Sequence, residues 1–253
     1  MTLKPIWQEN TTIKPYETDF QGRWKPHCFF QAMQVAATNH AAHLGLGYHA
    51  MLQSEMIWLL ARSKLHILRT PRIGESITIE TWPRGFQQKI FFMRDFFFLD
   101  ERGEKIAAAS SAWLLVHAAE KRILKPNVTL PEELPDQSDR LALDKTLDKI
   151  ALPEEMQERH IVEARYSDTD LMQHVNNTRY VEWISDCFTI EEHRARELDW
   201  IQVNYISEVK PGEKVSVQLG QAPAQHQGES TFFIQGINLT TGARSFEAAL
   251  TWR

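Results

Sequence analysis

The stretch Arg102-Gly103-Glu104-Lys105-Ile106-Ala107-Ala108-Ala109-Ser110-Ser111-Ala112-Trp113 is answered near the C-terminus by Thr241-Gly242-Ala243-Arg244-Ser245-Phe246-Glu247-Ala248-Ala249-Leu250-Thr251-Trp252. Each carries a turn glycine, reaches a tryptophan ten residues later and contains an alanine pair, Ala108-Ala109 and Ala248-Ala249. Upstream, Arg72-Ile73-Gly74-Glu75 opens the alternating Ile77-Thr78-Ile79-Glu80, and Lys210-Pro211-Gly212-Glu213 opens Val215-Ser216-Val217-Gln218. A turn glycine followed by period-two alternation marks a half-buried strand. Further upstream still, Thr18-Asp19-Phe20 matches Thr169-Asp170-Leu171. The chain repeats itself, so its 253 residues read as two modest domains rather than one large one.

After each Thr-Asp pair the period changes to that of a helix. Tyr180, Trp183, Ile184, Cys187 and Phe188 fall at i, i+3, i+4, i+7 and i+8. Phe29, Met33, Ala36, Ala37 and His40 follow nearly the same pattern, and Gly45 and Gly47 soon stop that helix. Each half therefore reads as an extended segment, one helix and several long strands, an α+β unit with its helix against an antiparallel sheet. The boundaries expected are 1–124 for the first domain, 125–155 for a connector and 156–253 for the second. The connector contains Pro126, Pro131, Pro135, Pro153 and many charges, with a short helix expected near Leu141–Ile150.

Composition narrows the class. With 43% hydrophobic and 24% charged residues the chain is neither disordered nor fibrous. A net charge of −5 argues against general affinity for nucleic acid, while leaving a local basic patch open. The N-terminal MTLKPIWQEN has no apolar signal core, and stretches such as Met56–Ala61 and Ile106–Val116 are too short or too mixed to span a bilayer, so no membrane insertion and a cytoplasmic location are expected. Cys28 and Cys187 stand apart and outside any metal-ligand spacing, so neither a disulfide framework nor a structural zinc is expected. Both read as packing thiols. No GxSxG, HExxH, P-loop or GxGxxG pattern occurs.

The densest polar cluster is Tyr166-Ser167-Asp168-Thr169-Asp170-Leu171-Met172-Gln173-His174-Val175-Asn176-Asn177, just ahead of the second helix. Such a loop delivers side chains to a helix N-terminus, where free N–H groups and the helix dipole favour a developing oxyanion. His174 suits general acid–base work near neutral pH, with a carboxylate such as Asp170 to fix its tautomer. Ser167, Asp168 and Asn177 read as turn and capping residues. Asp19 is followed at +4 by Arg23, where Asp170 has His174. Only one copy keeps a titratable imidazole, which suggests chemistry in the second half and binding in the first.

Taken together, Asp168-Thr169-Asp170-x-x-x-His174-Val175-Asn176-Asn177-x-x-Tyr180-x-x-Trp183, Val203-Asn204-Tyr205-x-x-Glu208-Val209, and Arg69-Thr-Pro-Arg-Ile-Gly-Glu75 ahead of Glu80-Thr81-Trp82-Pro83 resemble the acyl-acyl carrier protein (acyl-ACP) thioesterases, the bacterial type related to the plant chloroplast enzymes. The resemblance covers nearly the whole chain. It implies a tandem (double) hot-dog fold, each half a long helix packed against an antiparallel sheet. It also implies hydrolysis of the thioester between a fatty acyl chain and the phosphopantetheine arm of acyl carrier protein, with no cofactor and no metal. By position it assigns Asp170, His174 and Glu208 as catalytic and places the acyl-chain pocket mainly in the first half, near the Phe29–Leu44 helix.

From these we expect Glu208 with His174 as the base assembly, Asp170 as the orienting and electrostatic member, and N–H groups around Val175 and Asn176 as oxyanion donors. Which of Glu208 and His174 is the base stays open. Met172 stands where the family pattern has Asn, leaving Gln173 or Asn176 to supply the missing carboxamide, or a simpler polar network. Val209 stands where some plant members carry Cys, which removes a Cys–His mechanism. Two further readings remain, an acyl-CoA thioesterase and a non-catalytic acyl-thioester binder. A basic face built from Arg62, Lys64, Arg69 and Arg72 would favour the acidic carrier protein. The chain would be a pseudo-dimer in itself, with a further homodimer left open.

Overall fold

The computed structural model describes residues 3–125, 130, 134–135, 137–143, 147–221 and 231–253. The chain divides into two compact units, one of Met1–Trp24 with Phe29–Leu147, the other of Lys25–Cys28 with Asp148–Arg253.

In the first unit, β1 (Trp7–Thr12), β2 (Met56–Ile67), β3 (Ser76–Gln87), β4 (Phe91–Leu99) and β5 (Lys105–His117) pair antiparallel in the order β1-β3-β4-β5-β2. In the second, β6 (Gln157–Glu163), β7 (Leu198–Tyr205), β8 (Lys214–Gln221), β9 (Thr231–Asn238) and β10 (Arg244–Trp252) pair antiparallel as β6-β8-β9-β10-β7. The two orders are the same topology written twice, as the repeat predicts. The glycines that head the matched runs explain why the turns recur. Gly103 and Gly242 sit at φ +78° and +71°, a left-handed conformation that costs a side chain steric energy and glycine none.

Helix α1 (Pro26–His43) buries Phe29, Met33, Ala36, Ala37 and His40, the stripe read from the sequence. Phe29 meets Phe98 of β4 edge-on at 5.3 Å, which places α1 on that face of the sheet. Its counterpart α3 (Asn177–Ser185) is half as long, 9 residues against 18. It lays Tyr180 against Phe246 of β10 at 5.2 Å. Cys187 and Phe188 remain buried but lie beyond the helix, contrary to the expected continuous stripe. The last bonds tighten to i→i−3, from Cys187 N–H to Ile184 and from Phe188 N–H to Ser185, and Thr189 then caps a fresh helix. Two short helices were not anticipated, α2 (Tyr48–Gln53) and α4 (Ile190–Ala195).

The connector also departs from expectation. Pro126 and Pro131 lie outside the described residues, as do residues 144–146 of the expected helix, and the flanking 141–143 and 147–150 are not helical. The described residues 137–143 and 147 form no free linker. They cover the outer face of the first sheet. Arg140 lies 4.1 Å from the centre of the Trp82 ring and donates to Glu80 at 2.6 Å, while the Trp82 indole N–H donates to the Arg140 carbonyl at 2.8 Å. Arg62 donates to the Leu147 carbonyl. With α1 on one side and this strap on the other, β4 is buried almost throughout rather than alternately.

Burial leaves a titration signature. It lowers His40 to about 4, reinforced by the adjacent Arg94 guanidinium, and it lowers His27 and His160 as well. The unfolded chain takes up these protons near pH 6.5 whereas the folded one resists. Stability is therefore expected to fall as pH drops from about 6.5 towards about 4. Urea midpoints at pH 7 and pH 5 measure it; equal midpoints would contradict the buried neutral imidazoles.

Candidate active site

The polar loop is built from local bonds that its residue types make inevitable. Arg165 N–H donates to Asp168 Oδ2 at 2.8 Å and the Thr169 hydroxyl to the Tyr166 carbonyl at 2.9 Å, closing a 3-10 turn over Tyr166–Asp168. A second turn follows, with Gln173 N–H on the Asp170 carbonyl at 2.9 Å and Asp170 N–H on that of His174 at 3.1 Å. Asn176 caps α3, its Oδ1 accepting from the Thr178 N–H at 3.0 Å and the Thr178 hydroxyl at 2.8 Å. Arg179, one turn into the helix, holds the loop from below. It donates to the Ser167 carbonyl at 2.8 Å, lies 3.4 Å from Asp168 Oδ1, and is itself held by Glu182.

A single long-range bond then brings the second component. Val175 N–H donates to the Val209 carbonyl at 2.9 Å. Each valine follows a candidate residue, so the bond sets His174 beside Glu208. His174 Nε2 lies 3.1 Å from Glu208 Oε2, with the imidazole 20% and the carboxylate 41% exposed. The other side of Glu208 is pinned too, by Ile206 and Ser207 N–H groups on the Ser245 carbonyl. Tyr180, buried under this junction, forms a backbone hydrogen bond with Val209, and burial raises its phenol well above the ordinary range. The placement of Glu208 here comes from the Val209 backbone, which no side-chain pattern reveals.

Asp170 is engaged within its own loop. Its Oδ1 accepts from Met172 N–H at 2.9 Å and its Oδ2 from Asn176 Nδ2 at 3.0 Å. It braces the loop, and the carboxylate that meets the imidazole is that of Glu208. The missing carboxamide at Met172 is answered by Asn176, which serves Asp170 and the helix at once. The expected oxyanion donors do not stand free. Val175 N–H is committed to Val209 and Asn176 N–H to the Asp168 carbonyl at 2.8 Å, because both are needed to close the loop.

The first half repeats this loop bond for bond. Asp19 N–H donates to the Arg23 carbonyl at 2.9 Å, Gly22 N–H to Asp19 at 3.0 Å, Gln21 N–H to Asp19 Oδ1 at 2.8 Å, and Trp24 N–H to the Pro71 carbonyl at 2.9 Å. Arg23 closes onto Asp19 Oδ2 at 2.9 Å, and Thr70 stands in sequence where Glu208 stands in the second copy. The scaffold is duplicated, but the first copy has Arg23 and Thr70 where the second has His174 and Glu208. One comparison within the repeat is directly testable. Gln173 holds φ +62° where the first copy has Gly22 at +73°. Gln173→Gly is expected to raise stability by about 0.5–1 kcal/mol, read as a higher urea midpoint, because the side chain's strain exceeds glycine's entropic cost.

Other candidates resolve plainly. Cys187 is buried, its thiol pushed up to about 12 by burial and 3.6 Å from the Trp183 carbonyl, a packing role. Among the described residues no group of three or more His, Cys, Asp or Glu is placed to hold a metal ion. The four cations considered for a basic face are engaged elsewhere or on separate features: Arg62 lies over the Phe91 ring, Arg69 pairs with Glu75 and Asp100, and Arg72 donates to the Gln21 carbonyl, while Lys64 sits within β2. No described helix is long and apolar enough to cross a membrane.

Two copies of a five-stranded antiparallel sheet with a helix on one face define a double hot-dog protein. Residues 4–133 match the acyl-ACP thioesterase N-terminal domain and residues 152–253 the acyl-ACP thioesterase C-terminal domain. The chain belongs to the acyl-ACP thioesterase family. It is 23% identical over 258 residues to a chloroplastic acyl-[acyl-carrier-protein] hydrolase of Cuphea viscosissima, covering 98% of this chain and 62% of that protein. It is 25% identical over 225 residues to the chloroplastic oleoyl-acyl carrier protein thioesterase 1 of Arabidopsis thaliana, covering 83% of this chain and 62% of that one. The chain thus spans about 62% of the length of these curated relatives. Its fold is shared with an acyl-ACP thioesterase of Bacteroides thetaiotaomicron (TM-score 0.83, 22% identity, 98% of each chain). It is shared also with the 12:0-ACP thioesterase of Umbellularia californica (TM-score 0.79, 19% identity, 100% of this chain and 95% of that one).

Proposed function

We propose that this chain hydrolyses the thioester of fatty acyl-acyl carrier protein and releases free fatty acid. The observation that carries the reading is the His174–Glu208 pair, 3.1 Å apart and partly exposed at the start of α3, in a chain of this family. A carboxylate on Nε2 favours the Nε2–H tautomer and leaves the Nδ1 lone pair to take a proton from water. His174 is then the base and Glu208 its orienting partner, which also stabilises the imidazolium. Asp170 keeps the loop in shape and adds negative potential. A thiol leaves readily as thiolate near its ordinary pKa of about 8.5, so the step needs little acid assistance. With Val175 and Asn176 N–H groups committed, the oxyanion falls to the N-terminal end of α3, where Asn177 supplies the first helical N–H.

In the same proposal residues 156–253 carry the chemistry, residues 1–124 bind the acyl chain and 125–155 connect them. Acyl carrier protein bearing a fatty acyl phosphopantetheine is the partner, and no cofactor is required. A cytoplasmic setting is part of the proposal, supported by two buried cysteines that form no disulfide. Purified protein offered acyl-ACP and acyl-CoA of one chain length tests it. Fatty acid release from acyl-ACP is the expected result. Release from acyl-CoA alone would replace the substrate, and binding without release would remove the enzymatic reading.

A further inference from the structure

Between α1 and its sheet, the first unit's interior is not uniformly apolar. Phe92, Arg94, Phe96 and Phe98 alternate onto the face that α1 covers. In register, Arg94 lies beside Ser111 of β5, and Ser111 beside Ser63 of β2, so these three side chains form one row across the sheet. All three are buried, at 4%, 1% and 1% exposure. Arg94 donates to His40 Nδ1 at 2.9 Å and to the Thr81 hydroxyl at 3.3 Å, and among the described residues it forms no ion pair with a carboxylate. Since Nδ1 accepts, His40 is the neutral Nε2–H tautomer, which donates to the Lys4 carbonyl at 2.9 Å. Asp95, next along the strand, points to the opposite face and is engaged there with Ser110 and Ala142. Ser63 Oγ has no hydrogen-bond partner among the described residues.

Among the described residues the buried Arg94 guanidinium has no carboxylate partner and the buried Ser63 hydroxyl no hydrogen-bond partner; both are unfavourable, and here they share one row. On one side of the row lies the aromatic group of Trp24, Phe29 and Phe98. On the other lies the cluster of Leu44, Leu46, Met51, Phe92 and Leu115. The row divides two apolar sections.

We propose that this polar row is an end wall for the acyl chain, with Arg94 and Ser63 setting the longest chain the first unit accepts. The inference rests on the acyl-thioesterase reading and adds the feature that sets its chain-length limit. A methylene placed in either apolar section strengthens binding about fourfold. A methylene pushed against the row gains nothing and must part Arg94 from His40 and Thr81, bonds that a hydrocarbon cannot replace. The limit is therefore abrupt rather than gradual.

Arg94→Met tests it, since methionine is apolar, unbranched and adaptable, and exchanging a buried charge for a hydrophobe is commonly tolerated. On saturated acyl-ACPs differing by two carbons, the variant is expected to move its optimum to a longer chain. The first substrate beyond the wild-type limit should gain on the order of tenfold relative to the wild-type optimum. Ser63→Ala removes the unpartnered hydroxyl with little change of volume and should shift the profile the same way, by several-fold; it carries the test if Arg94→Met does not fold. Profiles unchanged in the folded variants, or moved to shorter chains, would overturn the wall. Calorimetric binding of free saturated fatty acids separates this from failure of the hydrolase reading. Without turnover by any form, a wild-type affinity that stops rising at a length which Arg94→Met extends keeps the wall, and identical limits remove it.

Discussion

His174→Ala is expected to lower turnover of acyl-ACP by about 10²–10⁴-fold, and Glu208→Gln to do so within the same range. The imidazole stands just ahead of α3 with its Nε2 3.1 Å from the Glu208 carboxylate. Removing the imidazole removes the base. Replacing Glu208 by glutamine keeps size and one acceptor oxygen, yet loses the charge that balances the imidazolium and permits the wrong tautomer to form. The two effects should be far from additive, because the residues act as a unit. The double variant should therefore sit close to the more damaged single variant. Both substitutions lie at a partly exposed junction held by backbone bonds, so urea midpoints are expected to stay near that of the parent. Near-full activity in both single variants would end the mechanism. An Asp170→Ala variant provides the contrast, since its loss should appear in stability as well as rate, through the released Met172 and Asn176 donors.

The largest stability effect is expected at Asp95→Ala, about 3–5 kcal/mol by urea denaturation. Asp95 is fully buried on the outer face of β4, and burial raises its carboxyl against the opposing pull of its donors. Those donors are the Ser110 hydroxyl at 2.7 Å, the Ala142 N–H at 2.8 Å and, as an ion pair at 3.1 Å, the Arg84 guanidinium. Truncation leaves a cation, a hydroxyl and an amide without their acceptor in a site closed to water. It also unfastens residues 137–143 from the sheet. Those residues should then become the first to be cut in limited proteolysis, ahead of the sheets. A loss below about 1 kcal/mol would mean that water reaches the site and that the strap is dispensable.

Much of the fold was legible because it rests on local regularities. A turn glycine ahead of alternating residues announced β3 and β8, and the i, i+3, i+4 stripe announced α1 through Phe29, Met33, Ala36, Ala37 and His40. The doubling of these signals announced the doubled topology. The helix break after Ser185 was less legible, because Cys187 and Phe188 keep the apolar period after the backbone has left the helix. The strap of residues 137–143 and 147 read as a linker, since prolines and charges give no hint of a face to cover. In the site, the loop and cap around Asp170 to Asn176 follow from residue type and spacing. The occupied N–H groups of Val175 and Asn176 do not, since their acceptors, Val209 and Asp168, are found only once the loop has closed.

The sequence by itself determined that the chain is two copies of one helix-and-sheet unit, that only the second copy carries an imidazole four residues after its Thr-Asp pair, and that His174 stands at a helix start. Only the tertiary structure decided which carboxylate faces that imidazole, that Asp170 braces its own loop, and that a polar row crosses the first unit beneath α1. The physical reason is range. Turns, caps and periodic faces are set by residues a few positions apart, whereas the Glu208–His174 pair depends on a backbone bond from Val175 to Val209, and the Arg94 row on the register of three strands.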